Sequence, residues 1–491
     1  VLAAGLGTRM RSSRAKVLHE LGGLPLIRHP LAALGPLEPA RVVVVVGHQA
    51  DQVRAAALAS GLPIETALQA EQHGTGHAVQ CAAPVFAGFD GDVLILYGDV
   101  PLVTTATLRR LRDVHRAEHA DLTLATMRFA DPTGYGRILR DASGRVSGIV
   151  EHRDATPAER EIEEVNPGLY CVRATLLLPL LRALRADNDQ GELYLTDVVG
   201  LAAQAGNRVA SVEIERPDEL AGVNTRAELA RMEAQLRDDL VRRWMEAGVT
   251  FEDPATAYVG PEVEIGRDTV IGPNVVLRGK TRIGEGCRLD GSAFLVDTRL
   301  GDRVHVRFSC VAEEAVVGDD AIVGPFARLR PGTELGARVH IGNFVETKKA
   351  RLAPGVKANH LSYLGDCEIG AETNVGAGTI TCNYDGSTGK KSKTTIGARV
   401  QIGSDVQLVA PVTVHDDAYV AAGTTVTRDV PAGALVATRV PPRVLEGWVA
   451  RRRAMAGQKP RPAAPAVAPR AAKPAKTTKA RKGSSRARRR R

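Results

Sequence analysis

Aliphatic residues recur every six positions through much of the second half of the chain. Ile265, Ile271, Leu277, Ile283, Leu289 and Leu295 fall six apart, as do Val317, Val323, Leu329, Leu335 and Ile341. The same beat returns at Ile396, Ile402, Leu408, Val414, Val420 and Val426. Glycine follows many of them, as at Ile265, Ile283, Val317, Ile341 and Ile402. A helix repeats near 3.6 residues and a single strand at two, so neither sustains this period. A hexapeptide beat makes a parallel β-helix: three short strands per coil, each sending one aliphatic into a central shaft. Residues 252–432, at roughly 18 per coil, give about ten coils and a shaft about 45 Å long at strand spacing.

The beat breaks where polar residues gather. Leu329-Arg-Pro-Gly332 keeps the register but carries Arg330, Asn343-Phe-Val-Glu-Thr-Lys-Lys349 disrupts it, and His360-Leu-Ser-Tyr363 follows. Cys382-Asn-Tyr-Asp-Gly386 opens an insertion to Lys393 before the register resumes at Ile396. Loops extruded from one face of a solenoid usually build its binding site. A lone histidine is more often structural, but His360 has Tyr363, Lys348, Asn374 and Asn383 for company.

The first half follows another rule. Arg41-Val-Val-Val-Val-Val-Gly47, Val93-Leu-Ile-Leu-Tyr-Gly-Asp99 and Leu122-Thr-Leu-Ala-Thr126 are continuous apolar runs. Such runs mark strands buried on both faces, and helical stretches near 51–60 and 105–119 separate them. The pattern predicts a doubly wound α/β domain with a mostly parallel sheet and ligands at the carboxyl ends of its strands. Polar residues collect at those ends. Val1-Leu-Ala-Ala-Gly-Leu-Gly-Thr-Arg-Met10 is a strand end running into a glycine turn, with Arg9 and then Lys16 supplying charge. Backbone amides freed by Gly5 and Gly7 suit a phosphate. The spacing is neither a P-loop nor a dinucleotide fingerprint.

Asp99 suits a magnesium ion whose other ligands are phosphate and water, although an Asp opening a turn before Pro101 is the plain alternative. Gln69 and Gln72 offer amides to a pyrimidine edge, beside a second turn at Gly74 and Thr75. Three further segments set polar side chains beside flexible backbone: Thr133-Gly-Tyr-Gly-Arg137, Ile149-Val-Glu-His152 and Glu164-Val-Asn-Pro-Gly-Leu-Tyr170. Asn224 by itself reads as a helix cap.

Between these halves, Leu229, Met232, Leu236, Leu240 and Trp244 recur at helical spacing, and Gly248 is placed to end the helix. The boundaries are 1–225, a linker helix 226–249, a β-helix 250–449 and a tail 450–491. The net charge of +9 belongs to that tail: residues 451–491 hold 16 Lys and Arg and no Asp or Glu, leaving 49 basic against 56 acidic residues in 1–450. Its composition predicts disorder, read either as a solvated tail or as a tether to polyanions such as nucleic acid or an anionic membrane. Six scattered cysteines without C-x-x-C pairs read as thiols of a cytoplasmic protein.

The opening decapeptide followed by Lys16 resembles the L-A-A-G-x-G-T-R-M…K pattern of sugar-phosphate nucleotidyltransferases. Taken in order, the segments over about 1–449 resemble the bifunctional bacterial enzymes with uridylyltransferase and glucosamine-1-phosphate acetyltransferase activities, which make UDP-N-acetylglucosamine. Chains of that family begin several residues earlier, with Met and the first half of strand one, so the resemblance implies residues ahead of Val1.

It implies that Leu2, Ala3, Gly5, Arg9, Lys16, Gln69, Gln72, Gly74, Thr75, Tyr97, Gly98 and Asp99 bind UTP, the uracil falling to Gln69, Gln72, Gly74 and Thr75. Gly136, Glu151, Asn166 and Asn224 would bind the N-acetyl sugar, with Asp99 and Asn224 holding Mg2+. In the second half it implies a left-handed β-helix that trimerises, with His360 as general base. Arg330, Lys348 and Lys391 would hold the sugar phosphate, Tyr363, Asn374 and Tyr384 the ring, and Asn383, Ser404, Ala422 and Arg439 acetyl-CoA. The acetyl site would then lie between subunits.

Three rival readings carry less. A nucleotidyltransferase for another sugar fits poorly with Glu151 and Asn166. A non-catalytic subunit would have lost Asp99, Lys16 or His360. A γ-type carbonic anhydrase needs three histidines on neighbouring coils, whereas His305, His340 and His360 are 35 and 20 residues apart, neither a multiple of 18.

Overall fold

The computed structural model describes residues 1–129, 131–438 and 443–458, and the chain divides into two compact units, Val1–Thr438 and Arg439–Arg491. In the first unit, strands Ile64–Leu68, Val42–Val46 and Leu2–Ala3 lie side by side in parallel. Leu2 bridges in parallel to Tyr97, just past the strand Asp92–Ile95. Helices cover both faces. Val42, Val44 and Val46 pack with Leu31, Val53, Leu108 and Leu111 on one side, while Val43 and Val45 meet Ala78 and Ala82 on the other. Burial on both faces is why these strands carry unbroken valine.

Beyond Asp92–Ile95 the sheet changes character. Tyr170–Arg173 runs antiparallel to both Asp92–Ile95 and Leu122–Arg128, and Glu164–Asn166, Gly136–Arg140 and Val146–Val150 extend it antiparallel. Val209–Glu213 restores a parallel pairing against Leu122–Arg128. A continuous apolar run reports burial, not strand direction, so the sequence did not distinguish these neighbours.

The helix Arg226–Glu246 joins this sheet to the β-helix. Its capping box, Thr225 with Glu228, fixes the start, and Gly248 follows its end at φ 94°. Met232 packs among Met10, Leu21, Leu26 and Val223, whereas Val241 enters the β-helix core with Trp244 beside it. Each such buried side chain contributes about 1.5–3 kcal/mol, enough to make the helix a strut between the two cores.

From Thr250–Phe251 to Leu435–Val436 short strands stack into one parallel coil. All 17 aliphatics of the six-residue beat are buried in its shaft. The coils are not uniform. Ile265 lies over Ile283 and Val317 over Leu335, 18 residues on, but Ile283 lies over Leu300 and Leu335 over Leu352, only 17 on. Where the insertion leaves the shaft, Ile369 lies over Ile396. Dropping one corner residue shifts the phase, so the beat vanishes after Leu295 although the coil continues through Leu300, Val306 and Ala312.

In the second unit, Trp448–Met455 is a short helix with the Arg452 guanidinium 5.5 Å from the Trp448 ring centroid. Disorder was expected over 450–491, but its first residues belong to this helix; the basic tail beyond 458 lies outside the described residues. Among the described residues no helix is long and apolar enough to cross a membrane. All six cysteines are free thiols.

Candidate active sites

The glycine turn, the strand end at Asp99 and the entrance to the linking helix meet at one point. Gly5 has open space where a side chain would start, and Gly7 takes φ +64° with its missing Cβ 2.6 Å from Lys16 Cβ. Any other residue at 7 is strained and displaces Lys16. The Lys16 ammonium pairs with Asp99 Oδ2 and lies 3.1 Å from Asn224 Oδ1, to which Arg9 also donates at 2.9 Å. The Val223 amide donates to the Asp99 carbonyl at 2.9 Å, tying the two segments together. Thr225, not Asn224, caps the helix, which frees the Asn224 side chain. Two side-chain oxygens thus converge on a single cation.

Beside this cluster, Gln69 is buried at the end of Ile64–Leu68, and Gly74 sits at φ +99° with its absent Cβ 2.5 Å from the Leu193 carbonyl. Thr75 Oγ1 accepts from the Leu195 amide at 3.0 Å. Burial, then the nearby Glu151 charge, pushes the Tyr97 hydroxyl's pKa up. Gly98 donates to the Leu2 carbonyl, and Ala3 is in the core. Gln72 is exposed and makes no side-chain bond among the described residues.

On the opposite wall Gly136 is paired with Asn166, and its missing Cβ lies 3.6 Å from Glu151 Cδ. Asn166 donates to the Tyr170 hydroxyl at 2.7 Å and accepts from Gly168. Glu151 accepts from Thr196 Oγ1 at 3.0 Å, yet burial raises its pKa overall.

On the β-helix, stacked coils build a second cluster. Arg330 donates to Glu346 at 2.8 Å, and Glu346 lies beside Tyr363 in the ladder. Asn383 reaches the Tyr363 hydroxyl at 3.4 Å and bonds Asp366, which in turn faces Lys348 at 4.0 Å. Tyr384 and Lys391 bridge the extruded hairpin, bringing Lys391 against Lys348, and that close contact and like charge lower the Lys391 pKa. Two crowded ammonium groups invite an anion.

His360 stands on the neighbouring corner, exposed, with Nδ1 3.1 Å from Asn343 Oδ1. Ser404 lies on a later coil, where its carbonyl accepts from Gly423, the residue after Ala422. Asn374 lies between Lys357 and Gln401 in its column. No side-chain bond among the described residues joins these three to the Lys348 cluster. Arg439 lies outside the described residues.

Glu346, Asp366, Asn343, Thr196 and His77 were not singled out from the sequence. A carboxylate between lysines looks like a solvated charge until the coil register places it. The histidine spacing also needs correcting: His305, Ile322 and His340 do share a column, because successive coils of 17 and 18 residues sum to 35. His360 lies three residues past Lys357, the next in that column. Among the described residues no three His, Cys, Asp or Glu side chains gather to hold a metal.

An α/β nucleotide-transfer fold carried on a hexapeptide coil defines a two-part transferase. Residues 1–198 match the MobA-like NTP transferase domain, 254–323 the GMPPB C-terminal domain, and 314–349 and 393–428 the bacterial transferase hexapeptide repeats. "Bifunctional protein GlmU" of Pelobacter propionicus is 51% identical over 453 residues, covering 92% of this chain and 98% of that protein. The protein of that name from an Anaeromyxobacter species is 53% identical over 472 residues, 96% of each chain. That from Mycolicibacterium gilvum is 48% identical over 458 residues, 92% of this chain and 91% of its own. The chain belongs to this family of bifunctional GlmU proteins. It is a bifunctional enzyme: it acetylates glucosamine 1-phosphate with acetyl-CoA, then transfers a uridylyl group from UTP to the product, giving UDP-N-acetylglucosamine and pyrophosphate. Its coil is a left-handed parallel β-helix.

Proposed function

We propose that uridylyl transfer occurs over the Gly5–Gly7 turn and acetyl transfer beside His360, with residues 1–225, 226–249 and 250–449 as the two domains and their linker. The observation that carries the first assignment is the convergence of Arg9, Lys16, Asp99 and Asn224. Asp99 and Asn224 both offer oxygen to one cation, a donor set that fits Mg2+. Bound there, Mg2+ would neutralise phosphate charge and orient the leaving pyrophosphate. Arg9 and Lys16 draw negative charge off the triphosphate while the turn amides hold it. Gln69, Gly74 and Thr75 fix the base, with Gln72 free to close on it. Gly136, Glu151 and Asn166 fix the N-acetyl sugar. The sugar 1-phosphate is already an anion, so its oxygen attacks the α-phosphorus without a general base. Positioning and charge neutralisation supply the rate.

In the second site the Asn343 oxygen accepts from His360 Nδ1–H, which leaves Nε2 with the lone pair a general base needs. Nε2 takes the proton as the sugar's amine attacks the thioester carbonyl and the CoA sulfur departs. Arg330, Lys348 and Lys391 hold the phosphate, and Tyr363, Asn374 and Tyr384 orient the ring. Asn383, Ser404, Ala422 and Arg439 are assigned to acetyl-CoA.

A trimer is supported by the corner that adjoins His360. Phe308, Phe326, Phe344 and Leu361 form an outward column, 47 to 64% exposed, with ring centroids of Phe326 and Phe344 5.4 Å apart. Phe326, Phe344 and Leu361 also hold positive φ, which bulky residues disfavour. An exposed apolar ladder kept at that cost suits burial against a second copy. The nucleotide and thioester substrates and the free thiols support a cytoplasmic location. The charge of the tail, 16 Lys and Arg with no Asp or Glu over 451–491, gives it a capacity for polyanions.

Asp99→Asn tests the first assignment. Uridylyl transfer falls about 10²–10³-fold while the same preparation still acetylates glucosamine 1-phosphate, and an unchanged uridylyl rate contradicts it. Sedimentation at three times 52.2 kDa tests the trimer.

A further inference from the structure

The Gln69 carboxamide is locked in one orientation. Its Nε2 lies 3.1 Å from the Gly74 carbonyl oxygen and 3.1 Å from His77 Nδ1. A backbone carbonyl only accepts, so the group facing Gly74 is the NH2. Oε1 is therefore turned the other way, with no protein donor among the described residues. The same NH2 spends its second proton on His77, so Nδ1 carries a lone pair and the imidazole proton sits on Nε2. That nitrogen faces Cys81 Sγ at 3.6 Å, one helical turn on, where a thiol sulfur is a weak acceptor. The His73 ring, itself engaged with Glu71 at 2.9 Å, lies 5.1 Å away and flanks the imidazole.

We propose that His77 is a positioning residue for base selection: by accepting from Gln69 Nε2 it presents Oε1 to the pyrimidine. Uracil offers N3–H, a donor that Oε1 accepts. Cytosine has a bare lone pair at N3, which meets another lone pair. Without an acceptor at 77 only Gly74 holds the amide, and the flipped amide, presenting NH2, suits cytosine. The inference rests on the reading of Gln69 as a base contact.

The test compares kcat/KM for UTP and CTP in the full-length enzyme and in Gln69→Leu, His77→Leu and His77→Asn. His77→Leu lowers the UTP/CTP ratio about tenfold, the scale of one oriented hydrogen bond. His77→Asn, whose Oδ1 reaches the place of Nδ1, recovers most of it. Acetyl transfer by the same preparations reports folding. A ratio that collapses in Gln69→Leu but holds in His77→Leu overturns the role of His77, as does an equal fall in the Leu and Asn variants. A ratio that holds in Gln69→Leu overturns the Gln69 reading itself.

Discussion

In the α/β half, Arg9 and Asn224 are 215 residues apart in sequence and meet at 2.9 Å, whereas on the β-helix Arg330 and Glu346 are 16 apart and Asn383 and Tyr363 are 20 apart. The first site exists only because a whole sheet and the start of the linking helix close around it. The second is a stack of near neighbours, repeated coil by coil, whose geometry is set by how many residues each turn contains. Closure differs too. Lys16 and Asp99 are mostly buried within one chain, while His360 stands exposed on a corner lined by Phe344 and Leu361. A globally closed site tolerates isolation of its subunit; an open corner gains from a neighbour, as the proposed trimer would supply.

The largest expected separation of the two comes from His360→Ala, which lowers acetyl transfer about 10²–10⁴-fold and leaves uridylyl transfer from supplied N-acetylglucosamine 1-phosphate intact. Lys16→Ala does the reverse, lowering uridylyl transfer about 10²–10³-fold, measured against an unchanged acetyl rate. Phe344→Asp sharpens the contrast between closed and open sites. It dissociates the oligomer by sedimentation and lowers acetyl transfer at least about tenfold, one lost apolar anchor, without touching the uridylyl rate. Leu289→Ala, in the shaft and fully buried, costs about 2–5 kcal/mol by thermal unfolding and loosens the coils on either side first, since a solenoid couples nearest neighbours.

The smallest effect concerns Glu151. Burial raises its pKa above the ordinary 4.5, so the native state holds its proton more tightly than the unfolded chain. The resulting stability is full below that ordinary value and is lost as pH rises through the native one. Glu151→Gln therefore gains stability relative to the parent as pH rises from about 4.5, read from paired denaturation curves.

What the sequence disclosed follows the same division. The beat at Ile265–Leu295 and Ile396–Val426 was plain because each strand sends one aliphatic inward. It faded where the interior is Ala312 or Thr347 and the coil shortens by a residue. Short motifs drew attention to Lys16 and Asp99, since glycine turns and strand-end carboxylates have local causes, while a break in the beat marked the stretch that holds His360. Their partners were silent. Asn224 looked like a cap until Thr225 took that role, and nothing local ties Asp366 to Lys348 or Asn343 to His360. Chain direction in the sheet was likewise hidden, because burial alone dictates the composition of Leu122–Arg128.

The decisive measurement is mass spectrometry of products from glucosamine 1-phosphate, acetyl-CoA, UTP and Mg2+, run with the parent enzyme, Lys16→Ala and His360→Ala. The expected result is UDP-N-acetylglucosamine from the parent, accumulated N-acetylglucosamine 1-phosphate from Lys16→Ala, and unreacted sugar from His360→Ala until acetylated substrate is added. Loss of both products in Lys16→Ala, or failure of added N-acetylglucosamine 1-phosphate to rescue His360→Ala, would contradict two separately built sites.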